Sequence, residues 1–119
     1  MLQYLQFQDV GPAPHMEIAF HERMNFLVGD NGLGKTFLLD AAWWALTRTW
    51  ARQKLMPHRP PTDPRITYRY TKKSGGPYAY TSRFDREAEH WPLAQGRPPI
   101  PGLVLYAQVD GGFSVWDPA

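Results

Sequence analysis

The sequence predicts an α+β lobe, within the broad α/β class, in which antiparallel hairpins accompany one strand, one loop and one helix. Three pairs of segments alternate apolar and polar residues in the strand period, each pair around a turn rich in Gly or Pro. A glycine-rich loop lies between a compact apolar run and a segment of helical character. The chain has 119 residues, 43% of them hydrophobic and 20% charged. This balance predicts a single globular domain over residues 1 to 119.

The first predicted hairpin pairs residues 2 to 8 with residues 16 to 20. Between them, the turn-forming run Gly-Pro-Ala-Pro occupies residues 11 to 14. A third predicted strand covers the apolar run of residues 24 to 28 and ends at Gly29.

The single predicted helix begins around Gly34 and continues to about Arg52. Ten of the fourteen positions from residue 37 to residue 50 are apolar, and three of these are tryptophans. Such a helix has almost no face suited to water, so we expect it to need cover on both sides. An alternative is a small domain that covers its tryptophans by dimerising.

Two more hairpins are predicted beyond the helix. Residues 55 to 65 contain four prolines, which predict a stiff extended connector. The hairpins then pair residues 66 to 71 with 78 to 84, and residues 103 to 109 with 113 to 116. In the first of them Tyr70 is predicted to lie opposite Tyr80. We interpret these tyrosines as ordinary sheet packing, although an aromatic ladder can also stack bases.

The loop at residues 29 to 36 reads Gly-Asp-Asn-Gly-Leu-Gly-Lys-Thr and matches the phosphate-binding P-loop pattern. Glycines stand where the backbone takes a positive φ or approaches phosphate closely. Successive backbone N–H groups can then converge on the β-phosphate, and the helix N-terminus adds its positive dipole end. A glycine-rich turn that meets the pattern by chance is the alternative.

The pattern assigns roles to the last two residues of the loop. Lys35 is predicted to reach the β and γ oxygens, and the Thr36 hydroxyl to ligate magnesium. The cofactors predicted are therefore ATP and Mg²⁺. The predicted nucleotide-binding residues are Gly29, Asp30, Asn31, Gly32, Leu33, Gly34, Lys35, Thr36 and Phe37, with Thr36 also the metal ligand.

The loop and its flanks resemble the ABC-type ATPases of the SMC, RecF and OLD-nuclease group. The resemblance covers about residues 2 to 50 and is carried by Asn31-Gly32, by the run Phe-Leu-Leu-Asp-Ala-Ala at residues 37 to 42, and by the hairpin before the loop. It implies that Asn31 lies near the γ-phosphate and that the backbone of residues 7 to 9 lies near the adenine. It also implies head-to-head dimers that close on two ATP molecules.

The resemblance also implies parts that this sequence lacks. We find no signature loop, no Walker B strand ending in Asp-Glu and no switch histidine. Asp110 is the one candidate Walker B aspartate, but Gly111 stands in the place of the glutamate and a hairpin turn explains the sequence. We assign no catalytic residue. The chain is expected to be the N-terminal lobe of a larger ATPase, or a subunit completed by another chain, and to hydrolyse ATP very slowly alone.

Two functional hypotheses follow. The first is the ATP-binding lobe of an SMC, RecF or OLD-like ATPase in DNA repair, DNA processing or defence against mobile DNA, a role that the resemblance implies. The second is a non-catalytic module that senses nucleotide and orders an assembly interface. An ABC transporter subunit fits less well, because such chains usually place their glutamine loop nearer the lysine than Gln95 or Gln108.

Positive charge is concentrated in residues 48 to 73, which we call the basic segment. It holds eight Lys or Arg residues against the single Asp63, a net charge of +7. Its cations are Arg48, Arg52, Lys54, Arg59, Arg65, Arg69, Lys72 and Lys73. They can contact nucleic-acid phosphates, or they can favour a helix C-terminus and keep a hairpin edge soluble.

Other features exclude several classes of site. The chain has no cysteine, so it has no disulfide, thiolate metal site or cysteine nucleophile. Its four histidines lie apart, without metal-ligand spacing. The N-terminus lacks the features of a signal peptide, and the longest apolar run, residues 41 to 46, is too short to span a bilayer. We expect a cytoplasmic protein that does not insert into membranes.

Overall fold

The computed structural model describes residues 2 to 21, 23, 25, 33 to 72, 75 to 95, 104 to 107 and 113 to 116, and within them the side chains of all but residues 33 to 35, 113 and 116. The described chain forms an α+β fold with one helix and a mostly antiparallel sheet. Its elements are β1 (Leu2–Val10), β2 (Ala13–Ala19), α1 (Leu33–Thr47), β3 (Arg65–Thr71), β4 (Pro77–Arg83), β5 (Val104–Ala107) and β6 (Phe113–Trp116).

Four strands form one antiparallel sheet in the order β2-β1-β3-β4, with β1 and β3 at its centre. The first two predicted hairpins are thereby confirmed. β1 and β2 are longer than predicted because Val10 pairs with Ala13, which leaves a turn of two residues, Gly11 and Pro12. Gly11 has φ +77°, a conformation that glycine adopts without steric cost.

The third predicted hairpin is also confirmed, as a separate two-stranded sheet. β5 and β6 pair antiparallel, with Val104 opposite Trp116 and Ala107 opposite Phe113. The strand predicted at residues 24 to 28 lies outside the described residues.

The hydrophobic core lies between the inner face of the four-stranded sheet and one side of α1. Residues of β1 and β3 alternate in burial, so that Leu5, Phe7 and Ile66 are fully enclosed while their neighbours in sequence are partly exposed. Aromatic rings of the sheet and of α1 pack against each other. The Trp44 and Tyr68 rings meet edge to face with centroids 5.7 Å apart.

The helix ends earlier than predicted, at Thr47 instead of about Arg52, because the backbone becomes left-handed at the next residue. The Thr47 hydroxyl donates to the Trp43 carbonyl (2.9 Å), and Arg48 takes φ +59°, which no α-helix continues. The chain then reverses, and the Trp50 ring stacks on Trp44 with centroids 5.2 Å apart. Trp50 thus packs against the helix through this chain reversal, whereas the apolar pattern predicted further helical turns.

The tyrosine register also differs from the prediction. Tyr70 pairs with Tyr78, and Tyr68 pairs with Tyr80, whereas Tyr70 was expected opposite Tyr80. The reason is that Pro77 pairs with Thr71 as the first residue of β4 and does not belong to the turn. Tyr68 and Tyr70 are each 2% exposed, so they pack in the core and offer no surface for stacking a base.

The second side of α1 faces the β5–β6 hairpin. The centroids of the Trp43 and Tyr106 rings lie 6.3 Å apart. Among the described side chains of α1, Leu39 is the only large hydrophobic one that is exposed, at 45%. The expectation of cover on both sides therefore holds for much of the helix. Within the described part of the chain, no helix is long and apolar enough to cross a membrane.

Candidate nucleotide-binding site

The structure places the second half of the P-loop sequence in the first turn of α1. Leu33, Gly34 and Lys35 have helical backbone, and Thr36 and Phe37 follow in the same helix. The first N–H groups of a helix have no intrahelical partner, and they lie at the positive end of its dipole. The motif thus supplies free amide donors at its Gly-Lys-Thr end. The predicted ligands Gly29, Asp30, Asn31 and Gly32 lie outside the described residues.

Phe37 fixes the start of the helix against the sheet. Its ring meets Phe7 edge to face with centroids 4.7 Å apart, and only 9% of Phe37 is exposed. A Cβ atom added to Gly11 would lie 2.3 Å from the Phe37 ring, so this contact requires glycine in the β1–β2 turn. Phe37 was predicted as a nucleotide-binding residue, and its side chain is committed to this packing.

The same turn is tied to the connector that follows the helix. The backbone N–H of His58 donates to the Asp9 carbonyl (2.8 Å), and the His58 ring Nε2 lies 2.8 Å from the Gly11 carbonyl oxygen. The backbone N–H of Asp63 donates to the Asp9 carboxylate (3.2 Å). The connector therefore holds in place the turn that packs against Phe37.

A cleft of about 430 Å³ opens beside Thr36. It lies between the first turns of α1, the β1–β2 turn and residues 52 to 56. Its lining residues are Gly11, Thr36, Phe37, Asp40, Arg52, Gln53, Lys54, Leu55 and Met56. The volume falls within the range of small-molecule sites, and the lining combines apolar walls with a few charged groups, as such sites usually do.

An ion pair crosses this cleft. The Arg52 guanidinium donates to Asp40 Oδ2 at 2.9 Å, and Asp40 lies one helical turn after Thr36. The Lys54 ammonium donates to the Glu89 carbonyl at the edge of the same cleft. With Asp40 neutralised by Arg52, Lys54 leaves the lining with a net positive charge, which favours an anionic ligand.

The described residues fit a magnesium ion bound together with phosphate. Magnesium prefers hard oxygen donors and usually takes one or two from protein, with phosphate and water completing its shell. Thr36 offers a hydroxyl, and Asp40 Oδ1 is buried without a hydrogen-bond partner among the described residues. No group of three or more His, Cys, Asp or Glu side chains that could hold a metal occurs in the part of the chain described.

Tyr106 of β5 completes the surroundings of Asp40. Burial, followed by a hydrogen bond to Asp40 and the charge of that carboxylate, raises the pKa of Tyr106 to about 12. The phenol stays protonated at neutral pH. The β5–β6 hairpin thus places Tyr106 near the carboxylate that pairs with Arg52.

The structure separates the cations of the basic segment. Arg48 points inward and donates to the Gln95 carbonyl (3.2 Å), Arg52 pairs with Asp40, and Lys54 bonds to residue 89. Arg65 and Arg69 lie instead on β3, on the outer face of the sheet. The described cations of the basic segment therefore do not form one surface. Lys73 lies outside the described residues, as do Gln108 and Asp110.

Sequence reasoning missed the residues that line the cleft opposite the helix. Gly11 and residues 52 to 56 carry no motif, and the cleft forms only when the connector folds back onto α1. Asp40 gave one usable signal, because a residue four positions after Thr36 lies on the same helix face.

Comparison with known proteins found no family model that matches this chain and no curated protein similar to it.

Proposed function

We propose that this chain binds ATP and Mg²⁺ and is the nucleotide-binding lobe of a P-loop ATPase. One observation carries the proposal: a complete Gly-x-x-x-x-Gly-Lys-Thr sequence whose last four residues, 33 to 36, form the first turn of the single described helix. Phosphate binding requires this placement, because free amide groups and the positive helix end must face the ligand. The net positive cleft beside Thr36 supports it further.

The roles proposed for the side chains follow from their chemistry. Lys35 neutralises charge on the β and γ phosphates, and Thr36 holds the magnesium ion through its hydroxyl oxygen. The ion, when bound with the nucleotide, neutralises phosphate charge and orients the β and γ groups. Asp40 and its partner Arg52 keep the cleft polar beside Thr36. Hydrolysis by this chain alone is expected to be very slow, since no assigned carboxylate orients the attacking water.

Within the P-loop ATPases we propose the SMC, RecF and OLD-like group, with a role in DNA repair, DNA processing or defence against mobile DNA. The structure supports one part of this, the need for a complementing lobe or chain. Leu105 and Val115 lie opposite each other in the β5–β6 hairpin and are 62% and 59% exposed. Leu39 of α1 lies with Leu105 along one shallow apolar groove of about 130 Å³. Adjacent exposed apolar residues of this kind usually mark an interaction surface.

The test is nucleotide binding measured by calorimetry. Lys35→Ala should abolish detectable ATP binding in the presence of Mg²⁺, because it removes the ammonium that meets the phosphates. Lys72→Ala, which removes an exposed lysine at the end of β3, should bind as the natural chain does. Equal affinity of the Lys35→Ala variant and the natural chain would refute the proposal.

The alternative function, a non-catalytic nucleotide-sensing module, is favoured by Gly111 in the place of the Walker B glutamate. Mixing this chain with its complementing lobe or chain separates the two functions. Hydrolysis that appears on mixing and depends on Lys35 supports the ATPase, whereas assembly that requires ATP without turnover supports the sensor.

A further inference from the structure

We infer that the outer face of the four-stranded sheet binds single-stranded nucleic acid. This face is opposite to the core, and the inference is independent of ATP binding. It rests on how strand register gathers polar, cationic and aromatic side chains that are scattered along the sequence.

Three cross-strand rows define this surface, which we call the outer sheet face. The register places His15, Gln8, Arg65 and Arg83 in the first row, Glu17, Gln6, Thr67 and Thr81 in the second, and Ala19, Tyr4, Arg69 and Ala79 in the third. Ten of these twelve residues are polar or aromatic with a polar group. The sequence spreads them over residues 4 to 83, so that no local motif reveals the face.

A pocket of about 320 Å³ lies at the centre of the face, lined by Gln6, Gln8, Arg65, Thr67 and Thr81. Its side chains hold one another in place, since Arg65 donates to Gln8 Oε1 (2.6 Å) and the hydroxyls of Thr67 and Thr81 share a 2.9 Å hydrogen bond. Amides, hydroxyls and a guanidinium provide both donors and acceptors. That mixture matches base edges and sugar-phosphate oxygens.

Charge weakly favours an anionic occupant, because three guanidinium groups on this face outnumber two carboxylates, those of Asp63 and Glu17. The guanidinium groups are those of Arg65, Arg69 and Arg83. Of these, Arg69 and Arg83 are exposed. Asp63 lies at the edge of the face, 3.4 Å from Arg65 and 3.7 Å from Arg83. Arg65 Nε is the atom that lies 3.4 Å from Asp63 Oδ2, an ion pair without hydrogen-bond geometry, so a phosphate oxygen would take the place of that carboxylate.

An aromatic ring completes the face. The Arg69 guanidinium lies 4.3 Å from the centroid of the Tyr4 ring, and the Tyr4 hydroxyl donates to Glu17. The ring is thus held by both neighbouring strands. Surfaces that bind single strands combine such a stacking group with cations along the backbone path.

The shape of the face selects a single strand over a duplex. A sheet of this width presents a broad, shallow surface, and none of the residues in the three rows belongs to a helix or ribbon that could enter a groove. Unpaired bases can lie against the Arg69 guanidinium, which covers the Tyr4 ring, and reach the amides of Gln6 and Gln8. A duplex would offer these groups only its phosphates.

Fluorescence anisotropy with a labelled oligothymidylate tests the inference on the full chain at low salt. The Arg65→Gln/Arg69→Gln double variant should bind about tenfold or more weakly, and log Kd should rise with log salt at a slope of about 2, because roughly 0.7 counterions are released per phosphate contacted. Arg59→Gln, which removes an exposed cation of the connector, should change the affinity by less than about twofold.

Asp63→Asn is the decisive variant because its predicted effect has the opposite sign. Removing this carboxylate frees Arg65 and Arg83, so binding should become several-fold tighter, a gain that unfolding cannot produce. Absence of binding by the natural chain would overturn the inference. The inference would also be overturned if Arg59→Gln and the double variant lost equal affinity, or if Asp63→Asn bound more weakly. Tighter binding of a duplex of the same length would overturn it too.

Discussion

At the scale of single residues, Gly11 links the sheet to the proposed phosphate site. Its φ of +77° makes the two-residue turn possible, and its missing side chain leaves the space that the Phe37 ring occupies. Phe37 directly follows Thr36, the proposed magnesium ligand. The start of α1 is therefore positioned by a glycine 26 residues before Phe37, not by the motif alone.

Gly11→Ala should destabilise the fold by about 2–4 kcal/mol, since the added methyl group both strains the backbone and collides with Phe37. Gly75→Ala is the matched control. Gly75 also has a positive φ, of +93°, but a Cβ atom there meets nothing within 4 Å. It should cost only about 1 kcal/mol, from backbone strain. If urea unfolding showed that the two variants lose equal stability, the contact with Phe37 would contribute nothing.

At the scale of elements, β4 is secured to the core by the segment that follows it. Ser82 is fully buried and donates to the Pro92 carbonyl at 2.7 Å. Trp91, which precedes Pro92, donates its Nε1 hydrogen to the Leu55 carbonyl (2.9 Å) and packs edge to face on Phe84. Residues 91 to 95 thus join the edge of the sheet to the connector that lines the cleft.

Ser82→Ala should cost about 1–2 kcal/mol, because it removes the main donor to a carbonyl that is held next to the core. Thr81→Ala, one residue earlier on the opposite, exposed face, should cost less than about 1 kcal/mol. Denaturant unfolding of both variants checks this. A larger loss for Thr81→Ala would mean that the hydrogen bond between Thr67 and Thr81 matters more than the anchor at Pro92.

At the scale of the whole molecule, the core is rich in tyrosines whose hydroxyls are partly withdrawn from water. Burial raises the pKa of Tyr68 to about 12, with Arg48 opposing the shift. The pKa values of Tyr70 and Tyr80 are raised by the same cause. These shifts make stability depend on pH in the alkaline range, because the folded state favours the protonated phenols.

Stability should therefore be fully present below pH 10, the ordinary tyrosine pKa, and be lost as the pH rises towards 12. One pKa unit corresponds to about 1.4 kcal/mol, so ionisation of Tyr68 alone removes at most ~3 kcal/mol. Urea midpoints measured across this range test the prediction. Tyr68→Phe should lose less stability over this pH range. If its pH profile equals that of the natural chain, the ionisation of other groups causes the loss.

The sequence by itself determined the three hairpins, because strand periodicity and Gly or Pro turns act between neighbouring residues. It also determined the P-loop sequence pattern and the existence of the helix that begins within it. It did not determine where that helix ends: Arg48 adopts a left-handed conformation in a chain reversal that stacks Trp50 on Trp44.

Only the tertiary structure decided which residues share a surface. It brought Asp40 and Arg52 to one cleft with Thr36, and it set Tyr68 opposite Tyr80. It also divided the described cations of the basic segment between that cleft, the connector and the outer face of the sheet. Contacts of this kind join segments up to about 60 residues apart, and they depend on which aromatic groups find space in the core. Local periodicity and charge counts contain no information about that choice, since it is made by packing between layers.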